Sequence, residues 1–566
     1  MNWRYFVIIS FFCVFYSFLI FNLYNIQLKK SFYYTALAES QYSANGLLKP
    51  ERGDIRFTDK NNNSIPAAIN KEFDIIFAVP SEIQKNAEKA GLSLRDVAEK
   101  ISEITGKPID ILEKQLDKKN DSYEVLIQKA SYEQIKKIQQ LSEEMLFRGV
   151  YSEKQKSRFY PAGNLASHIL GFVSPADEKE AEELKKQDAE RGRYGLEQYF
   201  NSSLAGLFGE FRKNRIVGRE DGKDLFLTID REIQSQTEEI LKKLVDKWEA
   251  AGGSVIIQEP STGKILALAN LPDFDPNNYS EFQIKNFLNP SVSFLYEPGS
   301  VFKLITMSAG IDSGKIAPDS TYVDNGYIVL NGEKISNWNK KAYGKINMAA
   351  IIENSINTGS VYVESKIGHK TFRDYVKLFG FSELTGVNLP GEVKGNVNNL
   401  NNGEEVDYAT ASFGQGVAVT PLQMLNAVSA IANGGLLMRP LITKDEKPEI
   451  IRRVISENTA REMTKMMVSA VKKNIIADIS NYEIAGKTGT AYIPDFQRGG
   501  YTNEVINTYT GFAPATNPEF AILIKLEKPK GAPFASQTVV PAFRELAQFI
   551  LNYYNIAPDG LIMNYE

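Results

Sequence analysis

The chain has 566 residues, enough for more than one domain, and its 43% hydrophobic and 24% charged residues are ordinary for globular protein. A formal net charge of −4 excludes a nucleic-acid binder that works by bulk positive charge. The one cysteine, Cys13, excludes an intramolecular disulfide and a thiolate metal site, and the two histidines, His168 and His369, leave little choice for a histidine-based triad.

Residues 5–23 carry no charge and are dominated by Phe, Ile, Val and Leu. About 20 apolar residues cross a bilayer, so an uncleaved anchor is expected over residues 5–26, behind a cytoplasmic stub of residues 1–4. A cleavable signal peptide has an apolar region of only roughly 7–15 residues. The nearest small-x-small site, Ala36-Leu37-Ala38, also lies well past the run. Charge does not set the orientation, since Arg4 and the amino terminus stand against Lys29 and Lys30. Residues 27–245 read as a mixed α+β region with no visible chemistry. Residues 74–79 and 123–128 read as strands. Ser93 with Asp96, and Ser131 with Gln134, form reciprocal caps at the starts of two helices, and Gly106 closes the first. Residues 177–193 are a dense charge run, a solvated helix or linker. Thr228-Ile229-Asp230 caps a helix that begins near Arg231.

From about Asp246 the pattern changes. Residues 253–258 and 264–269 are apolar strands around a Pro260-Ser261-Thr262-Gly263 turn. The stretch Tyr296-Glu297-Pro298-Gly299-Ser300-Val301-Phe302-Lys303 then sets a serine three residues before a lysine, behind a Pro-Gly break. A helix over residues 300–309 would put both on one face, within reach of each other. A serine needs a neighbouring base to become a nucleophile, and a lysine can be that base if burial or nearby cations lower its pKa. Alone, S-x-x-K occurs often by chance. Two later stretches join it: Asn354-Ser355-Ile356-Asn357, with Ser355 55 residues after Ser300, and Gly486-Lys487-Thr488-Gly489-Thr490, with Lys487 132 residues after Ser355. Residues 398–402 read as a polar loop, residues 522–526 as a strand, and a helix is expected from Val539 to about Tyr554.

The order S-x-x-K, S-x-N, K-T-G marks penicillin-recognising serine acyl transferases, and the chain resembles a class B penicillin-binding protein, the membrane-anchored peptidoglycan D,D-transpeptidase type. Three further stretches are similar to that family's non-catalytic pedestal. Arg52-Gly53-Asp54-Ile55, followed by Thr58-Asp59-Lys60-Asn61, departs from the family pattern by extra residues and by Lys60 in place of arginine. The others are Arg158-Phe159-Tyr160-Pro161-Ala162-Gly163, continued by Ala166-Ser167-His168, and Gly192-Arg193-Tyr194-Gly195-Leu196-Glu197. His168 falls among pedestal residues and is read as structural.

The resemblance implies an α/β chain: an N-terminal transmembrane helix, an elongated α+β pedestal of the dimerisation type over residues 27–245, and a transpeptidase domain over residues 246–566. That last domain would hold a central antiparallel sheet flanked by helices, as in serine β-lactamases. It also implies roles. Ser300 attacks the penultimate D-Ala carbonyl of a stem peptide ending D-Ala-D-Ala, with Lys303 as base. Ser355 relays the proton to the leaving amine, and Asn357 holds the substrate amide. Lys487, Thr488 and Thr490, around Gly489, fix the terminal carboxylate. The backbone N–H groups of Ser300 and Thr490 form the oxyanion hole. No metal or organic cofactor is implied. Implied partners are donor and acceptor stem peptides, β-lactams, and a multi-spanning membrane glycosyltransferase with other elongation or division proteins. The expected place is the cytoplasmic membrane, single-pass, with the catalytic domain outside; a minor D,D-carboxypeptidase activity is compatible with this. A serine β-lactamase, a penicillin-binding receptor and a decayed scaffold are the competing functions.

Overall fold

In the computed structural model the described residues are 3–24, 49–118, 123–143, 149–177, 179–180, 190–212, 215–495 and 497–559. Ala36-Leu37-Ala38, Lys29, Lys30 and most of the charge run at 177–193 lie outside them. The chain forms two compact units: Ala68–Phe159, and Met1–Ala67 with Tyr160–Glu566.

Helix α1, Trp3–Tyr24, coincides with the apolar N-terminal run, and large apolar side chains such as Phe11, Val14, Phe18 and Ile20 are exposed along it. Among the described residues no helix is long and apolar enough to cross a membrane. Strand β1, Ile55–Thr58, is followed by β2, Ser64–Ala78, ten residues longer at its start than expected. Polar side chains in the added part do not alternate cleanly between buried and exposed, which hid it from periodicity.

The Ala68–Phe159 unit pairs β2 with β3, Glu124–Ile127, and with β4, Val150–Phe159, both antiparallel. Helices pack on this sheet through Ile83, Val97, Ile101, Leu112 and Ile138, against Ile76, Leu126 and Val150. Among them are α2, Leu94–Thr105, and α3, Tyr132–Glu143. Both expected caps are present. Ser93 and Asp96 bond reciprocally, Gly106 ends α2 with φ +70°, and Ser131 and Gln134 bond reciprocally ahead of α3.

In the larger unit β1 pairs in parallel with β5, Leu225–Asp230. Asp230 caps α4, Arg231–Lys247, by accepting from Glu232 and Ile233 N–H. The central sheet is antiparallel throughout. Its order places β6, Gly252–Gln258, beside β7, Ile265–Leu271, and runs on through the last strand, Phe520–Glu527, to the strands Tyr501–Ala513 and, at the edge, Ala485–Pro494. Every residue of β6 is buried, so both sheet faces are covered. Val255 and Ile257 meet α4 and the C-terminal helix Val539–Tyr553 through Ile240, Leu241, Phe543 and Leu546. The alternate residue Gln258 points the other way and donates to Asn426 on the helix Pro421–Ala432. The expected boundary at 245/246 falls inside this unit. Thr228 donates to the carbonyls of Ile265 and Leu441, and Gln234 exchanges hydrogen bonds with the backbone of Leu268, which fastens β5 and α4 to the sheet.

The pedestal-like stretches in this unit meet at a buried ion pair. Arg52 Nε lies 2.6 Å from Glu197 Oε2, with side chains 6% and 0% exposed, and Arg52 also donates to Asn201 and to the Glu197 carbonyl. Gly192 is required here because a Cβ would meet the Glu197 carbonyl oxygen at 1.8 Å. His168 is buried against Phe274, and burial pushes its imidazole down to about 4, so it is neutral and structural.

Candidate active site

Ser300 sits in a 3-10 turn, Gly299–Phe302, which feeds α5, Lys303–Asp312. The expected helix thus opens with a tighter turn. Gly299 allows it: its φ is +58°, and a Cβ would meet the Thr490 carbonyl at 3.0 Å. Its N–H donates to the Gly414 carbonyl, which fixes the turn to a distant loop.

Lys303 is 1% exposed and turns toward the second motif. Its Nζ donates to the Ser355 carbonyl at 2.6 Å, to Asn357 Oδ1 at 2.8 Å and to Ser355 Oγ at 3.2 Å. Three acceptors match the three protons of an ammonium. Burial, and then the neighbouring Lys487 charge, hold Lys303 well below the ordinary lysine value. Loss of the proton would leave the amine two donors and the lone pair that a base needs.

Ser355 occupies left-handed backbone, φ +56°, rare for a residue with a Cβ. That bend presents both its carbonyl and its hydroxyl to the lysines. Asn357 opens α6, Asn357–Ile367, and is held at its other end by Nδ2 donating to the Ser336 carbonyl at 3.0 Å. Lys487, 3% exposed, comes from the edge strand β8, Ala485–Pro494, and donates to Ser355 Oγ at 3.1 Å and to the Thr488 carbonyl at 2.9 Å. Burial pushes it down to about 7. Ser355 Oγ therefore accepts from both lysines. Gly489 lets β8 close on the Ser300 turn, since a Cβ there would meet Val301 at 2.7 Å and the Pro298 carbonyl at 2.8 Å.

Residues 253–548 match the penicillin-binding protein transpeptidase domain, and residues 47–219 match the penicillin-binding protein dimerisation domain. The chain belongs to the penicillin-binding transpeptidase family. Stage V sporulation protein D of Bacillus subtilis (strain 168) is 31% identical over 530 residues, 88% of this chain and 77% of that protein. Peptidoglycan D,D-transpeptidase FtsI of Escherichia coli (strain K12) is 27% identical over 523 residues, 89% of this chain and 84% of that protein. Penicillin Binding Protein 2X from Streptococcus thermophilus has a TM-score of 0.69 at 24% identity, covering 92% of this chain and 82% of that one, which speaks to the fold.

The structure of this penicillin-binding transpeptidase brings Lys303, Ser355, Asn357 and Lys487 together, with Ser300 and Thr488–Thr490 on the adjoining turn and strand. Sequence reasoning missed what braces them. Asp324, 1% exposed, accepts from Thr358 Oγ1 at 2.6 Å, from Asn337 Nδ2 and from the N–H groups of Gly326 and Tyr343. Thr358 is the residue after Asn357, so this carboxylate anchors the first turn of α6. No short motif announces it, because its partners are scattered from 326 to 358.

Proposed function

We propose that Ser300 is the acylated nucleophile of a peptidoglycan D,D-transpeptidase that binds penicillins. The observation that carries this reading is the buried pair of lysines sharing Ser355 Oγ beside the Ser300 turn. Neutral Lys303 takes the Ser300 proton through Ser355 while Ser300 Oγ bonds to the penultimate D-Ala carbonyl. The peptide bond breaks, Ser355 returns the proton to the leaving amine, and free D-Ala departs. An acceptor amine then attacks the ester, loses its proton to the same relay and regenerates Ser300. Asn357 holds the substrate amide, and the Ser300 and Thr490 N–H groups receive the developing oxyanion. Lys487 and Thr488 bind the terminal carboxylate.

A β-lactamase would need a base for a hydrolytic water. Glu297, the acid nearest Ser300 in sequence, has both oxygens engaged, by the Gly416 N–H and by the Tyr501 hydroxyl. This favours an acyl-enzyme that waits for an amine. We also propose that α1 anchors the chain in the cytoplasmic membrane, with residues 27–245 as pedestal and 246–566 as an extracytoplasmic transpeptidase domain. A membrane glycosyltransferase supplies the glycan strands in this reading. The test is a stem-peptide donor ending D-Ala-D-Ala offered with a D-amino acid as acceptor. Release of D-Ala with formation of the new amide supports the proposal; a hydrolysed donor as the sole product refutes it.

A further inference from the structure

The helix that carries the second motif does not cap itself. Its N-cap position is Ile356, whose side chain has no oxygen, and the Ser355 hydroxyl before it is taken by the two lysines. The missing acceptor comes from a distant part of the chain. Asn337, 2% exposed, accepts the N–H of Thr358, the second residue of α6, on Oδ1 at 3.2 Å. The orientation of this amide is fixed by its other end. Asn337 Nδ2 donates to a carboxylate oxygen of Asp324 at 2.9 Å and to the Lys341 carbonyl at 3.0 Å, and neither group can donate in return.

The residues on either side of Asn337 hold the same bend. The Ser336 carbonyl accepts from Asn357 Nδ2 at 3.0 Å, and Trp338 Nε1 donates to the Asn354 carbonyl at 3.2 Å. Three consecutive residues at the end of the strand Glu333–Ser336 thus fasten residues 354, 357 and 358. All three donors are amide or indole N–H groups, whose protons have fixed directions. Between the fastened points lies Ser355 in left-handed backbone, φ +56°. A residue with a Cβ keeps that conformation only where its surroundings over-determine it. The bend is what turns the Ser355 carbonyl and hydroxyl toward Lys303.

We infer that Asn337 is a positioning residue for acyl transfer: it caps the second-motif helix from outside and, with Ser336 and Trp338 beside it, holds Ser355 in the left-handed bend that serves Lys303. The effect on rate rests on the acyl-transfer reading above; the effect on the bend does not. Opening this clip should slow the acylation step and leave the initial binding of a β-lactam nearly unchanged.

The experiment joins crystal structures to the acylation rate constant and initial dissociation constant for benzylpenicillin, on wild type, Asn337→Ala and Trp338→Phe. Asn337→Ala removes the cap and should slow acylation about tenfold. Trp338→Phe keeps a ring against Phe534, which meets Trp338 edge to face at 5.6 Å, and loses only the N–H donor. It should slow acylation about fivefold. In both, the dissociation constant should stay within about twofold of wild type, and Ser355 should leave the left-handed region in part or all of the molecules. Wild-type acylation by folded Asn337→Ala overturns the inference, as does a loss expressed only in the dissociation constant or a Ser355 bend that survives the substitution intact. If Asn337→Ala fails to fold, Trp338→Phe decides under the same criteria. Failure of the wild-type protein to acylate at all overturns the acyl-transfer reading and the rate effect inferred from it, while the backbone at Ser355 in the variants still decides whether the clip holds the bend.

Discussion

Two lysines within reach of one serine hydroxyl make the chemistry of this site a matter of where protons sit. Lys303 must lose its proton to act as base, and burial together with Lys487 disposes it to do so. Arginine in its place stays charged at every accessible pH. Lys303→Arg should therefore lower the penicillin acylation rate by about 10²–10⁴ without shifting the pH at which it peaks into reach, as stopped-flow acylation across pH 5–10 would show. Lys487 gives a stability signature. Its folded value of about 7 lies below the ordinary 10.5. Between those limits the unfolded chain holds the proton that the folded chain has released, so stability rises with pH across that window and is flat below it. The stability of wild type relative to Lys487→Met should increase from about pH 7 to pH 10 in urea unfolding; a constant difference would refute the buried, depressed lysine. That Lys303, Ser355, Asn357 and Lys487 converge was legible in the sequence, from the order and spacing of the three motifs. The left-handed backbone at Ser355 was not, since no glycine or asparagine marks it. Neither were the contacts of Lys303 with the Ser355 carbonyl and Asn357, which depend on acceptors 52 and 54 residues downstream.

At the level of elements, the first turn of α6 depends on Asp324. Burial pushes that carboxyl up, but the hydrogen bonds from Thr358, Gly326, Tyr343 and Asn337 outweigh it and hold it below the ordinary value. Such a group stabilises the fold above its unfolded pKa, and the contribution fades as pH falls toward the folded one. Asp324→Ala strands several buried donors and should cost about 3 kcal/mol. It should also slow acylation, because Asn357 begins the same turn; unchanged acylation by Asp324→Ala would show that α6 is held by other contacts. Elements with a local chemical signature were legible: the Ser93 and Ser131 caps, Asp230 before α4, and the β6–β7 hairpin around its Pro-to-Gly turn. Elements set by distant pairing were not. The first ten residues of β2 read as featureless because their order comes from neighbouring strands. Residues 399–402, expected as loop, form a single helical turn that lays Leu400 into the core.

Across the whole chain, the converging side chains of the candidate site lie within residues 300–490, whereas the Arg52–Glu197 pair lies in the stretch that matches the dimerisation domain. The near-complete burial of both side chains makes this pair part of a polar core. Breaking such a pair costs about 3–5 kcal/mol, because the survivor is left buried and uncompensated. Arg52→Ala should lower the melting temperature while acylation, measured below that transition, stays within a few-fold of wild type. A hundredfold slower acylation in the folded variant, about 2.7 kcal/mol of transition-state stabilisation, would instead couple pedestal to chemistry.

The most direct test is intact-protein and peptide mass spectrometry after exposure to benzylpenicillin. A single adduct on the peptide containing Ser300, persisting for many minutes and absent from folded Ser300→Ala, is the predicted result. An adduct on another residue, or one that hydrolyses within seconds, would contradict a Ser300 acyl-enzyme awaiting an amine.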